Sequence, residues 1–279
     1  MSVHVAPAAT HRRFLVCPPD YFTAHYLFNP FMTYRERVDV RRAKRQWRSL
    51  VRVLEGAGAE LEIVEPDGAT SAVVFTADGA FCYAPGHALV LRNDGVRGDL
   101  EPPVFKAWLE ARGYRTEALP PRYRLDGGNL LRLAEGDVLA GLKPGATELG
   151  ERYLARLLRL TTGRSLQTVP LVDQRHLHLD TALAVLPRGE VLVYRDALRE
   201  GELPAAVVER AEDVIEVTRA DAARFACNVV CVDDVVVTGP VSDRLASRIA
   251  RCGYAVERVD LGEFYKAGGG AKCLTLPLP

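Results

Sequence analysis

The chain has no excess of charge of either sign and no long apolar run. Its 279 residues include 36 Lys plus Arg and 36 Asp plus Glu. Because no net field attracts a polyanion, nucleic acid and anionic membrane surfaces are not expected as partners. No apolar stretch reaches the roughly 18 residues that a membrane-spanning helix needs. Residues 1–13 lack the apolar core of a secretory signal. These absences predict a cytoplasmic protein.

Cysteine pairs with disulfide or metal-ligand spacing are also absent. The chain has six scattered cysteines, at 17, 82, 227, 231, 252 and 273, and no CxxC motif. This distribution is typical of reduced thiols in a cytosol. Cys227 and Cys231 could form half of a metal site, but no matching His or Cys pair follows them. We interpret both as strand-packing residues.

Short β-rich runs alternate with amphipathic helical segments along the whole chain. Hairpins of two short strands are each followed by a helix and a further strand, at a spacing of about 50 residues. Residues 73–75 also have the composition of a short strand. Hairpins between helices argue against an all-parallel, doubly wound sheet. The pattern predicts an internally repeated α/β architecture. No Ser/Gly-rich linker divides it, so we expect one domain over residues 1–279.

A run of three glycines stands just before Cys273, at residues 268–270. Glycines weaken a core strand, but they suit a turn with positive φ or a close approach of backbone to a ligand. The neighbouring Lys272 could favour the thiolate form of the cysteine. The alternative is an inert, buried cysteine at the end of a flexible tail.

Three further segments carry charge where strands should be apolar. Asp78 ends a buried-looking run, and Asp126 precedes two glycines. In residues 175–182, alternation places His176, His178 and Asp180 on one face of an extended segment. Singly, each has an ordinary explanation, since Asp-Gly marks turns and a lone His is usually structural. His-x-His-x-Asp is also compatible with zinc.

Taken together with Cys273, these residues supply a nucleophile, a base, an acid to orient the base, and two more acids. An excess of carboxylates around a thiol suits a cationic substrate, whose charge would offset the desolvation of the acids and favour the thiolate.

These segments resemble the guanidino-group-modifying (pentein) superfamily, which includes arginine deiminase, dimethylarginine dimethylaminohydrolase, arginine dihydrolases and glycine amidinotransferase. The matching motifs occur in the family's order at residues 26–32, 74–78, 125–128, 178–181 and 268–273. The resemblance implies a five-bladed α/β propeller of ββαβ repeats with pseudo-fivefold symmetry, which agrees with the repeat described above.

Carried over position by position, the resemblance implies catalytic and substrate-binding roles. Cys273 matches the nucleophile, His178 the general acid/base and Asp126 the acid that orients the histidine. Asp78 and Asp180 match the carboxylates that hold the guanidinium group. The segment around Phe31 resembles a substrate-covering loop, whereas His176 has no firm counterpart.

Three positions depart from the family's pattern. Asn129 replaces the aspartate that usually follows the paired glycines, which is expected to loosen that hairpin. Residues 141–147 lack the arginine with which some relatives clamp the substrate's α-carboxylate, which leaves Arg92 and Lys143 as candidates. Asp78 stands where some dihydrolases carry asparagine, which favours stopping at a ureido product.

The implied activity is hydrolysis of the guanidinium group of arginine or an Nω-methylated arginine. It would give citrulline and an amine through an S-alkylthiouronium intermediate on Cys273, with a small guanidino substrate and no metal or organic cofactor. A homodimer is left open. The alternatives are an amidinotransferase, a deiminase or dihydrolase with another guanidino substrate, a non-enzymatic pentein-fold binding protein, and a zinc hydrolase that uses His176, His178 and Asp180.

Overall fold

A computed structural model describes residues 12–23, 37–66, 68, 70–94, 97–133, 136–209 and 211–279. Its strands, in chain order, are β1 (Arg13–Val16), β2 (Glu60–Ile63), β3 (Ala80–Ala84), β4 (His87–Val90), β5 (Arg115–Ala118), β6 (Leu130–Arg132), β7 (Val138–Leu142), β8 (Leu166–Pro170), β9 (Leu183–Val185), β10 (Glu190–Val193), β11 (Asp213–Glu216), β12 (Val230–Val232), β13 (Val235–Thr238), β14 (Ala255–Arg258) and β15 (Leu276–Leu278). Its α-helices are α1 (Val40–Gly56), α2 (Arg97–Glu110), α3 (Leu149–Thr162), α4 (Ala205–Val208), α5 (Arg219–Ala222), α6 (Asp243–Arg251) and α7 (Gly262–Tyr265).

The strands form five three-stranded sheets that share one topology. In the sheet β3-β4-β5, β3 and β4 pair antiparallel, and β5, which follows α2, pairs parallel with β4. The same arrangement recurs in β6-β7-β8, β9-β10-β11 and β12-β13-β14. The predicted α/β fold of five ββαβ repeats is therefore confirmed.

The fifth sheet is assembled from distant parts of the chain. Strand β15 pairs antiparallel with β1, with Leu276 opposite Leu15, and β1 pairs parallel with β2. A segment near residue 277 therefore completes the sheet that the first strand begins.

Short 3₁₀ turns precede the first strand of four repeats. They are Thr76–Asp78, Gly127–Asn129, Leu179–Thr181 and Lys272–Leu274. Hydrogen bonds link neighbouring turns: Gly128 N donates to Asp78 Oδ1 at 2.9 Å, and Leu179 N donates to Asn129 Oδ1 at 3.0 Å. Asn129 thus joins two repeats, and the expectation that it loosens its hairpin finds no support in these contacts.

Apolar helix faces cover the sheets. On α1 and α3, the fully buried pairs Leu50/Leu54 and Leu154/Leu158 are spaced four residues apart, which places both members on one helix face. Within the described ranges, no helix combines the length and apolarity that crossing a membrane requires.

The strand predicted at residues 73–75 is absent. Residues 73–75 form a turn rather than a strand, in which Phe75 N donates to Ala72 O at 2.9 Å and Phe75 packs in the core. Helix α1 begins at Val40 because Asp39 caps it, accepting a hydrogen bond from Arg42 N at 3.0 Å.

Candidate active site

The inter-repeat turns meet at a cavity of about 170 Å³. The predicted residues Cys273, His178, Asp126 and Asp78 line it together with the candidate cation Lys143, whereas Asp180 is not among its lining residues. The other lining residues are Phe75, Asn93, Asp94, Leu177, Thr181, Ala267, Gly268 and Gly269. The nucleophile and the base predicted from sequence, separated by 95 positions in the chain, therefore share one cavity.

Cys273 is buried in the turn that leads into β15. Asn228 contacts it twice: its Nδ2 donates to Cys273 Sγ at 3.2 Å, and its Oδ1 accepts from Cys273 N at 3.2 Å. A donor aimed at sulfur stabilises a thiolate more than a thiol. Asn228 precedes β12 and is a functional candidate that the sequence reading missed.

The thiol of Cys273 is held in its neutral form. Burial raises its pKa well above the ordinary value of 9.0, and the charges of Asp180 and Asp78 raise it further. A backbone hydrogen bond at Gly270 and the charge of Lys272 act in the opposite direction without balancing these effects. The expectation that Lys272 favours the thiolate has the right direction, but burial and the two carboxylates outweigh it.

The glycine run before Cys273 is required by close packing. Gly268 has φ +80°, and a Cβ on Gly269 would lie 2.2 Å from the ring of Phe75. Since both residues line the cavity, larger side chains here would strain or displace its wall.

His178 lies between two carboxylates. Its Nε2 is 3.3 Å from Asp126 Oδ2 and its Nδ1 is 3.9 Å from Asp78 Oδ1. Burial lowers the pKa of His178, but Asp78 and Asp126 outweigh it, and the net shift is upward. The protonated imidazole is therefore favoured, as a general acid requires.

Asp126 is shared between His178 and Lys143. Lys143 forms a close ion pair with Asp126 and a second one with Asp94, at 3.2 Å. Burial raises the pKa of Asp126, but Lys143 and His178 outweigh this effect and hold it below its ordinary value. Asp126 stays ionised and fixes the imidazole, consistent with its predicted orienting role.

Asp180 lies beneath Cys273 and is fully buried. Its Oδ2 is 3.9 Å from Cys273 Sγ and 3.0 Å from the ammonium group of Lys272. Its Oδ1 has no hydrogen-bond partner among the residues that the structure describes. The carboxylate therefore has capacity for one more donor.

His176 does not share the face of His178. The predicted extended segment is instead a loop followed by the turn Leu179–Thr181. The Nδ1 of His176 lies 3.1 Å from Thr181 Oγ1, and its ring lies 5.0 Å from that of Tyr194. Burial lowers the pKa of His176, so it stays neutral. Its contacts support the turn, and they remove one ligand from the zinc alternative.

Arg92 is not among the residues that line the cavity. The Nη1 donates to Gly98 O at 2.7 Å and forms an ion pair with Asp99. Lys143 and Asp94, in contrast, line the cavity. The geometry therefore favours Lys143 over Arg92 as the cation near the substrate. Phe31 lies outside the described residues.

Comparisons with known proteins agree with this site. No protein-family model matches the chain. It is 33% identical over 272 residues to N(G),N(G)-dimethylarginine dimethylaminohydrolase of Mycobacterium tuberculosis, covering 96% of this chain and 86% of that protein. The chain belongs to the guanidino-group-modifying (pentein) superfamily. This confirms the resemblance stated above.

Further relatives are bifunctional cyanobacterial proteins. The chain is 34% identical over 272 residues to the arginine dihydrolase/ornithine cyclodeaminase AgrE of Nostoc sp., covering 95% of this chain but 37% of that protein. It matches the crystal structure of the N-terminal domain of ArgZ, an arginine dihydrolase bound to its product, with TM-score 0.86, 33% identity and coverage of 96% and 99%. These named relatives are hydrolases that act on C–N bonds.

Proposed function

We propose that this protein hydrolyses the guanidinium group of arginine or an Nω-methylated arginine, with Cys273 as nucleophile. One observation supports it above others: a buried thiol, an imidazole fixed by a carboxylate, and a further carboxylate line one cavity. Named relatives that span this whole chain act on guanidino compounds.

A guanidinium cation completes the charge balance of the site. Asp78 lies on the cavity wall, and Asp180, whose Oδ1 has no hydrogen-bond partner in the described residues, has its Oδ2 3.9 Å from Cys273 Sγ. Charge-assisted hydrogen bonds from a planar guanidinium to these carboxylates would fix its central carbon near Cys273 Sγ. The same cation offsets the two charges that raise the pKa of the thiol, so the thiol ionises when substrate is bound.

The bond changes then follow in two halves. The Cys273 thiol loses its proton to solvent and its sulfur attacks the central carbon. Protonated His178 gives its proton to the departing nitrogen, and the C–N bond breaks to leave a planar thiouronium. His178, now neutral, takes one proton from a water that attacks the same carbon. The C–S bond breaks, the second proton of that water passes to the sulfur to restore the thiol, and a ureido product such as citrulline leaves.

The distal end of the substrate would meet Lys143 and Asp94. An α-carboxylate fits the ammonium group of Lys143, and an α-amino group fits the exposed carboxylate of Asp94. This pairing favours a free amino acid over a substrate that lacks the carboxylate.

A second candidate is arginine dihydrolase activity, in which the ureido product is hydrolysed again to ornithine. The cyanobacterial relatives named for that activity favour it. Asp78 speaks against a second hydrolysis, because some dihydrolases of the family carry asparagine at this position. An acid here favours release of citrulline.

Intact-protein mass spectrometry after a rapid acid quench tests the proposal. With arginine or dimethylarginine, we expect a covalent adduct on Cys273 that retains the amino-acid carbon chain, and citrulline rather than ornithine in the supernatant. An amidinotransferase would retain only the amidino group on sulfur, whereas ornithine without that small adduct would indicate the dihydrolase.

The matched controls are two cysteine variants. Cys273→Ser should form no adduct, while Cys252→Ser, at a thiol that donates to Arg248 O outside the cavity, should behave as the parent protein. Turnover by Cys273→Ser, or the absence of any turnover and adduct with both substrates, would contradict the proposal.

A further inference from the structure

A second cavity, of about 160 Å³, lies behind the turns that form the catalytic cavity. It is lined by the first strand of each sheet in turn, with contributions from β3, β6, β9, β12 and β15. Ala77, Gly127 and Lys272 border it, and each precedes or follows in sequence a residue of the catalytic cavity. The turns therefore form the partition between two cavities, and we call the second one the axial cavity.

The axial cavity is lined by two basic residues, Arg132 and Lys272, and none of its lining residues is Asp or Glu. The ammonium group of Lys272 is paired with the carboxylate of Asp180. Arg132 Nη2 donates to the Cys82 carbonyl, and the guanidinium lies 5.1 Å from the centre of the Phe81 ring. Within the described part of the chain, no ion pair of Arg132 is present. Burial lowers its pKa.

The remaining lining is apolar. Leu131, Val185 and Leu276 are among its residues. A half-buried guanidinium in such a setting matches a carboxylate, because its planar fork donates two parallel hydrogen bonds to one carboxylate group. The apolar lining matches a short hydrocarbon chain and distinguishes such a ligand from phosphate or sulfate.

We propose that the axial cavity binds a small organic carboxylate, with Arg132 holding the anion and Lys272 contributing a second positive charge. The site is separate from the catalytic cavity, and the binding itself does not depend on the proposed hydrolase activity.

Lys272 connects this cavity to the catalytic one. Lys272 is one of the residues that line the axial cavity, its ammonium group pairs with Asp180 Oδ2 at 3.0 Å, and the same oxygen lies 3.9 Å from Cys273 Sγ. A guanidinium bound to Asp180 competes with Lys272 for that carboxylate. A carboxylate bound in the axial cavity attracts the ammonium group of Lys272. The two ligands therefore strengthen each other's binding, by equal factors in both directions. This coupling rests on the proposed function.

Calorimetric titration with butyrate, without a guanidino compound present, tests the site. We expect one butyrate per chain, no binding of the isosteric neutral amide butyramide, and weaker binding of sulfate. Arg132→Gln should weaken butyrate binding at least tenfold, and Arg132→Lys, which keeps the charge but loses the planar fork, should weaken it less. Thermal unfolding establishes that each variant is folded.

Lys143→Gln is the control for the catalytic cavity, since Lys143 lines that cavity and not the axial one. Butyrate binding that survives Arg132→Gln, that is lost in Lys143→Gln, or that fails in the parent protein would overturn the proposal. Should Arg132→Gln not fold, Arg132→Lys alone decides: unchanged affinity would overturn it.

The coupling is measured separately in Cys273→Ser, which binds arginine without turnover. Butyrate should lower the dissociation constant of arginine, and Arg132→Gln should remove that effect. Butyrate binding without this effect would leave the axial site standing and remove only the coupling.

Discussion

The side chain of Asn228 holds Cys273 from two directions, donating to the sulfur and accepting from the backbone N–H of the same residue. The amide is buried, and its two hydrogen bonds fix both the turn and the sulfur position. An N–H aimed at sulfur favours the thiolate, opposing the effect of burial and of the nearby carboxylates.

Replacing Asn228 should therefore affect the chemical step. Asn228→Ala removes the donor, and we expect kcat to fall by about 10-fold, corresponding to a hydrogen bond of roughly 1.5 kcal/mol to a charged group. Asn228→Asp adds a third negative charge next to the sulfur and should be more severe. Steady-state kinetics with each variant measures this, and equal activity of the aspartate variant and the parent protein would refute the role.

Gly128 is required because the imidazole of His178 lies against it. A Cβ at this position would come within 2.4 Å of His178 Nδ1. Gly128→Ala should displace the ring and lower kcat by about 100-fold, the lower limit of a general acid–base contribution. Gly56→Ala, where an added Cβ meets nothing within 4 Å, is the matched control and should leave kcat unchanged.

The ionisation of Cys273 should depend on substrate charge. In the free protein, the thiol pKa lies well above 9.0, chiefly because of burial and then because of Asp180 and Asp78. The ultraviolet thiolate absorbance, taken as the difference between the parent protein and Cys273→Ser, should therefore titrate above pH 9.0. Methylguanidinium should move that midpoint downward. A midpoint near neutrality without ligand would show that the environment stabilises the thiolate instead.

His178 should stabilise the fold most at low pH. Its pKa is above the ordinary 6.5, because the two carboxylates outweigh the opposing effect of burial. Its contribution is therefore fully present below pH 6.5 and is lost as the pH rises through the raised value. We expect the difference in unfolding free energy between the parent protein and His178→Gln to shrink with increasing pH in denaturant titrations. A difference that grows with pH would contradict the assignment.

Lys143 should make the enzyme prefer substrates that carry an α-carboxylate. Agmatine is arginine without that carboxylate, so comparing kcat/KM for the two compounds isolates the contact between Lys143 and the carboxylate. Lys143→Gln should lower kcat/KM for arginine at least 10-fold more than for agmatine, since a charged hydrogen bond contributes roughly 1.5–3 kcal/mol. Lys143→Arg should restore most of the preference. Arg92→Gln should leave the preference for arginine over agmatine unchanged, because the Arg92 guanidinium is paired with Asp99. A large loss of this preference in Arg92→Gln would show instead that Arg92 binds the carboxylate.

The repeat pattern and most of the cavity could be predicted because local chemistry encodes them. Hairpin strands are rich in β-branched residues, and the Asp-Gly turns at Asp78 and Asp126 recur before strands. The strand prediction at residues 73–75 is wrong because an apolar, β-branched segment suits a buried turn and a strand equally well. Tertiary packing decides between the two, and composition alone does not distinguish them.

The electrostatic partners could not be predicted in this way. Lys272 pairs with Asp180 across 92 positions, and Asn228 contacts Cys273 across 45. Neither pairing has a local signal, because both depend on how neighbouring repeats meet. Asn228 stands between Cys227 and Val229 without a glycine or an acid nearby in sequence. Its position before the first strand of a repeat, like that of Asp78, was the available clue.

Strand β15 imposes an order on biosynthesis. It pairs with β1, and Cys273 lies in the turn directly before it. On the ribosome, the first sheet stays without this partner strand until residues 276–278 have emerged, after the strands of the four other sheets have all been made. Nascent chains interrupted before residue 273 contain His178, Asp78 and Asp126 but lack Cys273, so under the proposed mechanism they could not turn over substrate.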